Sequence, residues 1–88
     1  MGKGPFFHKS KVKECYFTNT TLIKSDFAYA DLQGTVFHNC NLSKSNFMGA
    51  ICYAIDPLVN DIKKARFSYP EVTSLLDYFD IIIDENMV

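Results

Sequence analysis

Few side chains in this chain of 88 residues could do acid–base, nucleophilic or metal chemistry: two histidines, three cysteines and ten carboxylates. An acid–base site needs titratable groups that converge, and a thiol nucleophile needs a base beside it. His8 and His38 lie far apart in sequence, and Cys15, Cys40 and Cys52 form no CxxC pair from which a zinc site usually starts. No phosphate-cradling GxGxxG or GxxxxGKS/T loop is present, and no GxSxG nucleophile elbow. The chain is therefore expected to be non-enzymatic, with no cofactor and no metal. A net charge of −1 excludes the strongly basic class of nucleic-acid binders, so no direct contact with nucleic acid is expected.

The elements that would carry these residues follow an unusual period. Phe17, Leu22, Phe27, Leu32, Phe37, Leu42 and Phe47 recur every fifth residue. Two positions before each stands a small or compact residue: Cys15, Thr20, Ser25, Ala30, Thr35, Cys40 and Ser45. A five-residue period is neither a 3.6-residue helix nor a two-residue strand. It predicts a chain that turns a corner every five residues, with a large and a small side chain pointing inward at each side. Extended backward, the frame gives Val12 and Phe7 as further core-facing centres; extended forward, it gives Cys52, Pro57, Ile62 and Phe67. Cys52 is thus expected in the core, and Asp56-Pro57 is expected to distort a corner near Ile55–Val59, either as a bulge beginning a cap or as a binding loop.

Ser25-Asp26-Phe27, Ala30-Asp31-Leu32, Cys40-Asn41-Leu42, Ser45-Asn46-Phe47 and Ala65-Arg66-Phe67 resemble the pentapeptide-repeat family, with its consensus near A(D/N)LXX. The resemblance covers about residues 5–69. It implies an all-β solenoid, a right-handed quadrilateral β-helix with four pentapeptides to a 20-residue coil and about three coils here. Residues 20 apart do keep like over like: Phe7, Phe27, Phe47 and Phe67 form one column, and Leu22, Leu42 and Ile62 another. Coils one strand spacing apart, about 4.8 Å, let similar side chains stack. The carboxylates Asp26, Asp31, Asp56 and Asp61 fall just before centres, hence outward on different faces. Cys15 and Cys40 are separated by a coil and a corner and are not expected to pair.

The expected division is a β-helix over 1–69 and a terminal cap over 70–88. Ser68 and Glu71 have capping-box spacing, with Pro70 tolerated in a first turn. Val72, Leu75, Leu76 and Phe79 then follow the i, i+3, i+4, i+7 spacing of an amphipathic helix. Ile81-Ile82-Ile83 reads as a short strand flanked by Asp80 and Asp84. This end also resembles Qnr-like bacterial members of the family, in which a terminal helix and strand build a two-fold dimer. The resemblance implies a homodimer through Leu75, Leu76, Phe79, Ile81 and Ile83; a monomeric lid over the last coil is the alternative.

Two faces suggest partners. Lys24, Lys44 and Lys64 stack in one column, a basic ladder or simply a solvated face. Tyr16, Tyr29, Tyr53 and Tyr69 are expected outward, with Gly49 leaving a notch between Tyr29 and Tyr69; they suit contact surfaces or merely strand backbone. Residues 1–14 carry Lys3, Lys9, Lys11 and Lys13 against Glu14, whereas 71–88 carry Glu71, Asp77, Asp80, Asp84 and Glu85 with no basic residue. The expected function is a rigid protein-interaction scaffold. The alternative implied by the resemblance is a DNA mimic that binds DNA gyrase or topoisomerase IV and protects against quinolones. Mixed outward charge and a rod of only about 15 Å fit that alternative poorly. An odd cysteine number used as compact filler, no signal sequence and no apolar run near 20 residues lead to the expectation of a cytoplasmic protein without membrane contact.

Overall fold

The structure, a computed structural model, describes residues 4–82. Three short strands, β1 (Tyr16–Thr18), β2 (Val36–His38) and β3 (Ala54–Ile55), form a parallel sheet in that order. The remaining pairing is by single parallel bridges in further columns: Phe6, Asp26, Asn46 and Arg66; Lys11, Asp31 and Ile51; Thr21, Asn41 and Asp61. Each bridge joins residues 20 apart, so the chain is a β-helix solenoid whose sides are only one to three paired residues long.

The five-residue unit has a local cause. The N–H three residues after a centre donates to the centre's C=O, as from Ser25 to Leu22, Ala30 to Phe27 and Ser45 to Leu42, at 3.0–3.2 Å. The residue between, two after the centre, has positive φ: Lys24 61°, Tyr29 60°, Gly34 77°, Asn39 55°, Lys44 62° and Gly49 73°. Where that bond closes, the positive φ makes the corner a type II turn; at Asn39 it does not close, and the Cys40 N–H donates to Asn60 Oδ1 at 2.9 Å instead. The Asp or Asn before a centre braces the corner. Asp26, Asp31, Asn41, Asn46 and Asp61 each accept through Oδ1 the N–H two residues on, at 2.9–3.2 Å, and Asp56 makes the same local bond to Leu58 N–H. The (D/N) of the repeat is thus a turn-forming residue, satisfied locally.

Inside, rings stack in register. Phe7, Phe27, Phe47 and Phe67 lie face to face with centroids 4.7, 5.0 and 5.2 Å apart, and Phe17 lies on Phe37 at 5.1 Å. The two stacks meet edge-on, with Phe27 and Phe37 at 90°. Each fully buried ring contributes about 1.5–3 kcal/mol, and each stacked pair about 0.5–1.5 kcal/mol more. The small positions share this interior and join coils with their polar atoms. Ser25 and Ser45 both donate to the Leu22 carbonyl, at 2.6 and 2.8 Å, and Thr35 donates to that of Val12. Their buried hydroxyls are therefore satisfied.

After Ile51 the frame departs from the sequence expectation. Val36 and Phe37 pair with Ala54 and Ile55, a step of 18 residues where every other bridge steps by 20. Asn41 still pairs with Asp61, so the side shortened by two residues is followed by one lengthened by two. The coil length is conserved while the centres move. Ile55, fully buried, takes the place expected of Pro57, because proline has no N–H for a ladder and isoleucine fills the interior. Cys52 is not core: it sits exposed at φ 60°, and its neighbour Tyr53 turns inward, 5% exposed, against Phe47 and Phe67. Tyr53 is likewise not the outward residue expected.

The terminal element also differs. Glu71–Phe79 is a 3-10 helix preceded by Pro70, with no side-chain cap; the Ser68 hydroxyl instead accepts the Gly49 N–H at 2.8 Å. With three residues per turn, the inward face becomes Val72, Leu75 and Tyr78, not the α-helical set. Ile81 and Ile82 form no strand, and Ile83 lies outside the described residues.

Candidate functional site

The residues expected to do chemistry are held in structural work. Beyond bracing corners, Asp26 faces His8 Nδ1 at 3.4 Å and Asp31 faces Lys13 Nζ at 3.3 Å. His38 is exposed on β2. The three cysteines are free, and Cys40 donates its thiol to the Phe17 carbonyl at 3.1 Å. No cluster of three or more metal-ligating residues occurs among the described residues. None of their helices is long and apolar enough to cross a membrane.

The exposed features are columns and ends. Lys24, Lys44 and Lys64 occupy the positive-φ corner position of successive coils, all exposed, and none forms an ion pair among the described residues. The tyrosine column is not a notch. A Cβ on Gly49 would fall 2.4 Å from the Tyr29 ring, so that ring already lies over the glycine, and Tyr29 is 51% exposed. Tyr69 stands free at 85% exposure. At the C-terminal end Leu75 is buried in the core cluster, while Leu76, Phe79, Ile81 and Ile82 remain exposed. Ile83 is outside the described residues. Four exposed apolar side chains thus lie on the outer side of the 3-10 helix and just past it.

A pentapeptide-repeat family profile matches residues 7–51 in eight copies, and its span ends where the coil frame shifts. The chain belongs to the pentapeptide-repeat family. Among solved structures, this pentapeptide-repeat chain aligns with trypsin-treated QnrB1, a plasmid-mediated fluoroquinolone resistance protein. The TM-score is 0.46 at 13% identity, over 90% of this chain and 42% of that one, so the chain spans less than half of that neighbour. No curated protein matches it.

Sequence reasoning missed two features of this repeat protein. The lengthened side exposes Leu58 and Val59, beside a shallow depression of about 370 Å³ floored by Cys40 and Asn60. Asn60, in a position otherwise reserved for small residues, accepts the Cys40 N–H at 2.9 Å and donates to the Phe37 and Asp56 carbonyls. The second is the buried Tyr53 hydroxyl, which has no hydrogen-bond partner among the described residues. Burial first, and the Glu71 carboxylate second, push this phenol up to about 12. The sequence carries no clear signal of either, because the 20-residue register returns at Asp61 and the spacing of the later centres is unchanged.

Proposed function

We propose that this pentapeptide-repeat protein is a non-catalytic interaction scaffold: a right-handed, four-sided rod of about three coils, closed by its 3-10 helix and joined to a second copy through that end. The observation that carries the reading is the exposed strip of Leu76, Phe79, Ile81 and Ile82, four large apolar side chains on one end of a small molecule. Contiguous apolar surface of that kind marks an interaction site. The same end carries Glu71, Asp77 and Asp80, which would repel one another in a stacked copy unless they lie at the rim. Leu75 supports the helix from beneath rather than touching the partner.

Duplex mimicry is less well supported. A rod that replaces DNA needs regular negative charge along a face, whereas the Asp26 column continues into Asn46 and Arg66, and the next corner is the lysine ladder.

Light scattering on the purified chain tests the scaffold reading. Wild type is expected at twice the chain mass, and Leu76→Lys at the mass of one chain with unchanged circular dichroism. A wild-type monomer, or a Leu76→Lys variant that stays associated, overturns the C-terminal interface.

A further inference from the structure

The pitch of Glu71–Phe79 sorts its residues into three rows, because a 3-10 helix has three residues per turn. Val72, Leu75 and Tyr78 face the last coil, whereas Thr73, Leu76 and Phe79 are all exposed. The third row is Glu71, Ser74 and Asp77, and it forms one wall of a cleft of about 280 Å³. Cys52 and Tyr53, from the shortened side of the last coil, line the same cleft, as do Pro70 and Thr73. The Thr73 hydroxyl is already committed, donating to the Pro70 carbonyl at 2.7 Å.

The other polar groups of the cleft are uncommitted. Glu71 is half-buried and Asp77 exposed; neither forms an ion pair among the described residues, and no basic residue lines the cleft. Tyr53 is its deepest residue, 5% exposed, and its buried hydroxyl has no hydrogen-bond partner among the described residues. After burial, the Glu71 charge is what holds the proton on that phenol, so the hydroxyl lies towards the Glu71 end. Two carboxylates alone would be ordinary surface. A buried hydroxyl left unpaired beside them costs stability that a hydrogen-bonding ligand would restore.

We propose that this cleft binds a linear aliphatic polyamine. An ammonium has three donors and no acceptor. At the inner end one ammonium donates to the Glu71 carboxylate, the Tyr53 hydroxyl oxygen and the Ser74 hydroxyl oxygen. The Tyr53 O–H then donates to Glu71. A second ammonium, several methylenes away, meets Asp77 at the mouth.

Spacing selects this occupant. Glu71 and Asp77 are six residues apart, which at the rise of a 3-10 helix is about 12 Å along its axis. One compact cation cannot bridge them, and two cationic groups on one chain can. Cys52, Glu71 and Asp77 share the cleft without converging as a set of metal ligands. The row that lines the cleft is not the row that carries Leu76 and Phe79, so the proposal stands apart from the dimer.

The test is calorimetric titration of the full chain with spermidine, beside butylamine and magnesium chloride at equal ionic strength. Saturable one-to-one binding of spermidine is expected, with butylamine weaker by at least about tenfold and no saturable binding of magnesium. Glu71→Gln is expected to abolish binding. Asp77→Asn should bring spermidine down to the level of butylamine and leave butylamine unchanged. Tyr53→Phe keeps the ring in the core and should weaken both amines, which keeps the test informative should a helix variant misfold. Absence of binding, equal affinity for spermidine and butylamine, or saturable magnesium binding overturns the proposal. Affinity unmoved by Tyr53→Phe would leave water as the partner of the hydroxyl and would also overturn it.

Discussion

Phe47 lies between Phe27 and Phe67, with ring centroids at 5.0 and 5.2 Å and no exposed surface. A carboxylate there has no partner and no water, so Phe47→Asp is expected to cost above about 4 kcal/mol and to abolish the folded state. A cooperative melt like that of wild type would contradict the stacked column. Tyr53 behaves differently, because its ring is useful to the core and its hydroxyl is unsatisfied. Tyr53→Phe is expected to raise stability by about 1 kcal/mol at neutral pH, since it removes an unpaired buried group. It should also change the alkaline limb. The folded phenol keeps its proton up to about 12, against the ordinary 10.0 of a tyrosine. The unfolded chain therefore binds fewer protons between those values, and stability present below pH 10 falls as pH rises towards 12. Thermal melts across that window should show this extra loss in wild type and not in Tyr53→Phe; equal slopes would mean that the hydroxyl is hydrated.

At the scale of elements, the core-facing column from Val12 to Phe47 was legible because side-chain volume and spacing alone define it. The corners after Phe27, Leu32, Leu42 and Phe47 could be read from the Asp or Asn before each, a turn brace in the structure; those after Val12, Phe17, Leu22 and Phe37 have no such residue. The departure at Cys52 was not, since a shortened side followed by a lengthened one restores the 20-residue register at Asp61 and leaves no net trace in the count. The terminal helix was readable as a helix, but its 3-10 pitch was not. Val72, Leu75 and Tyr78 share its inner face at a spacing of three, while the apolar Leu76 and Phe79 that suggested an α-helix face out. Compensation between the two sides makes a firm prediction. Adding two residues between Cys52 and Tyr53 should shift every later centre out of register and lower the melting temperature sharply. Removing Pro57 and Leu58 in the same chain should recover most of the loss. Equal stability for both variants would show that the coil need not hold its 20-residue step.

For the whole molecule, the C-terminal end matters more than any face. The lysine ladder and the Tyr29 column lie on regular, self-satisfied backbone. The C-terminal end carries the exposed apolar side chains Leu76, Phe79, Ile81 and Ile82. The candidate dimer end was partly legible, because surplus apolar residues there are visible in sequence; which of them face outward depended on helix pitch and was not. A scaffold of this kind would join copies at one end and leave the first coils pointing apart. The measurement that bears most directly on this is the amide spectrum of the uniformly labelled chain, recorded through a dilution series. The account predicts concentration-dependent shifts confined to Glu71–Ile82 and the coil surface beneath them. Shifts centred on the Lys24–Lys44–Lys64 column or on Tyr29 and Tyr69, or none at any concentration, would contradict it.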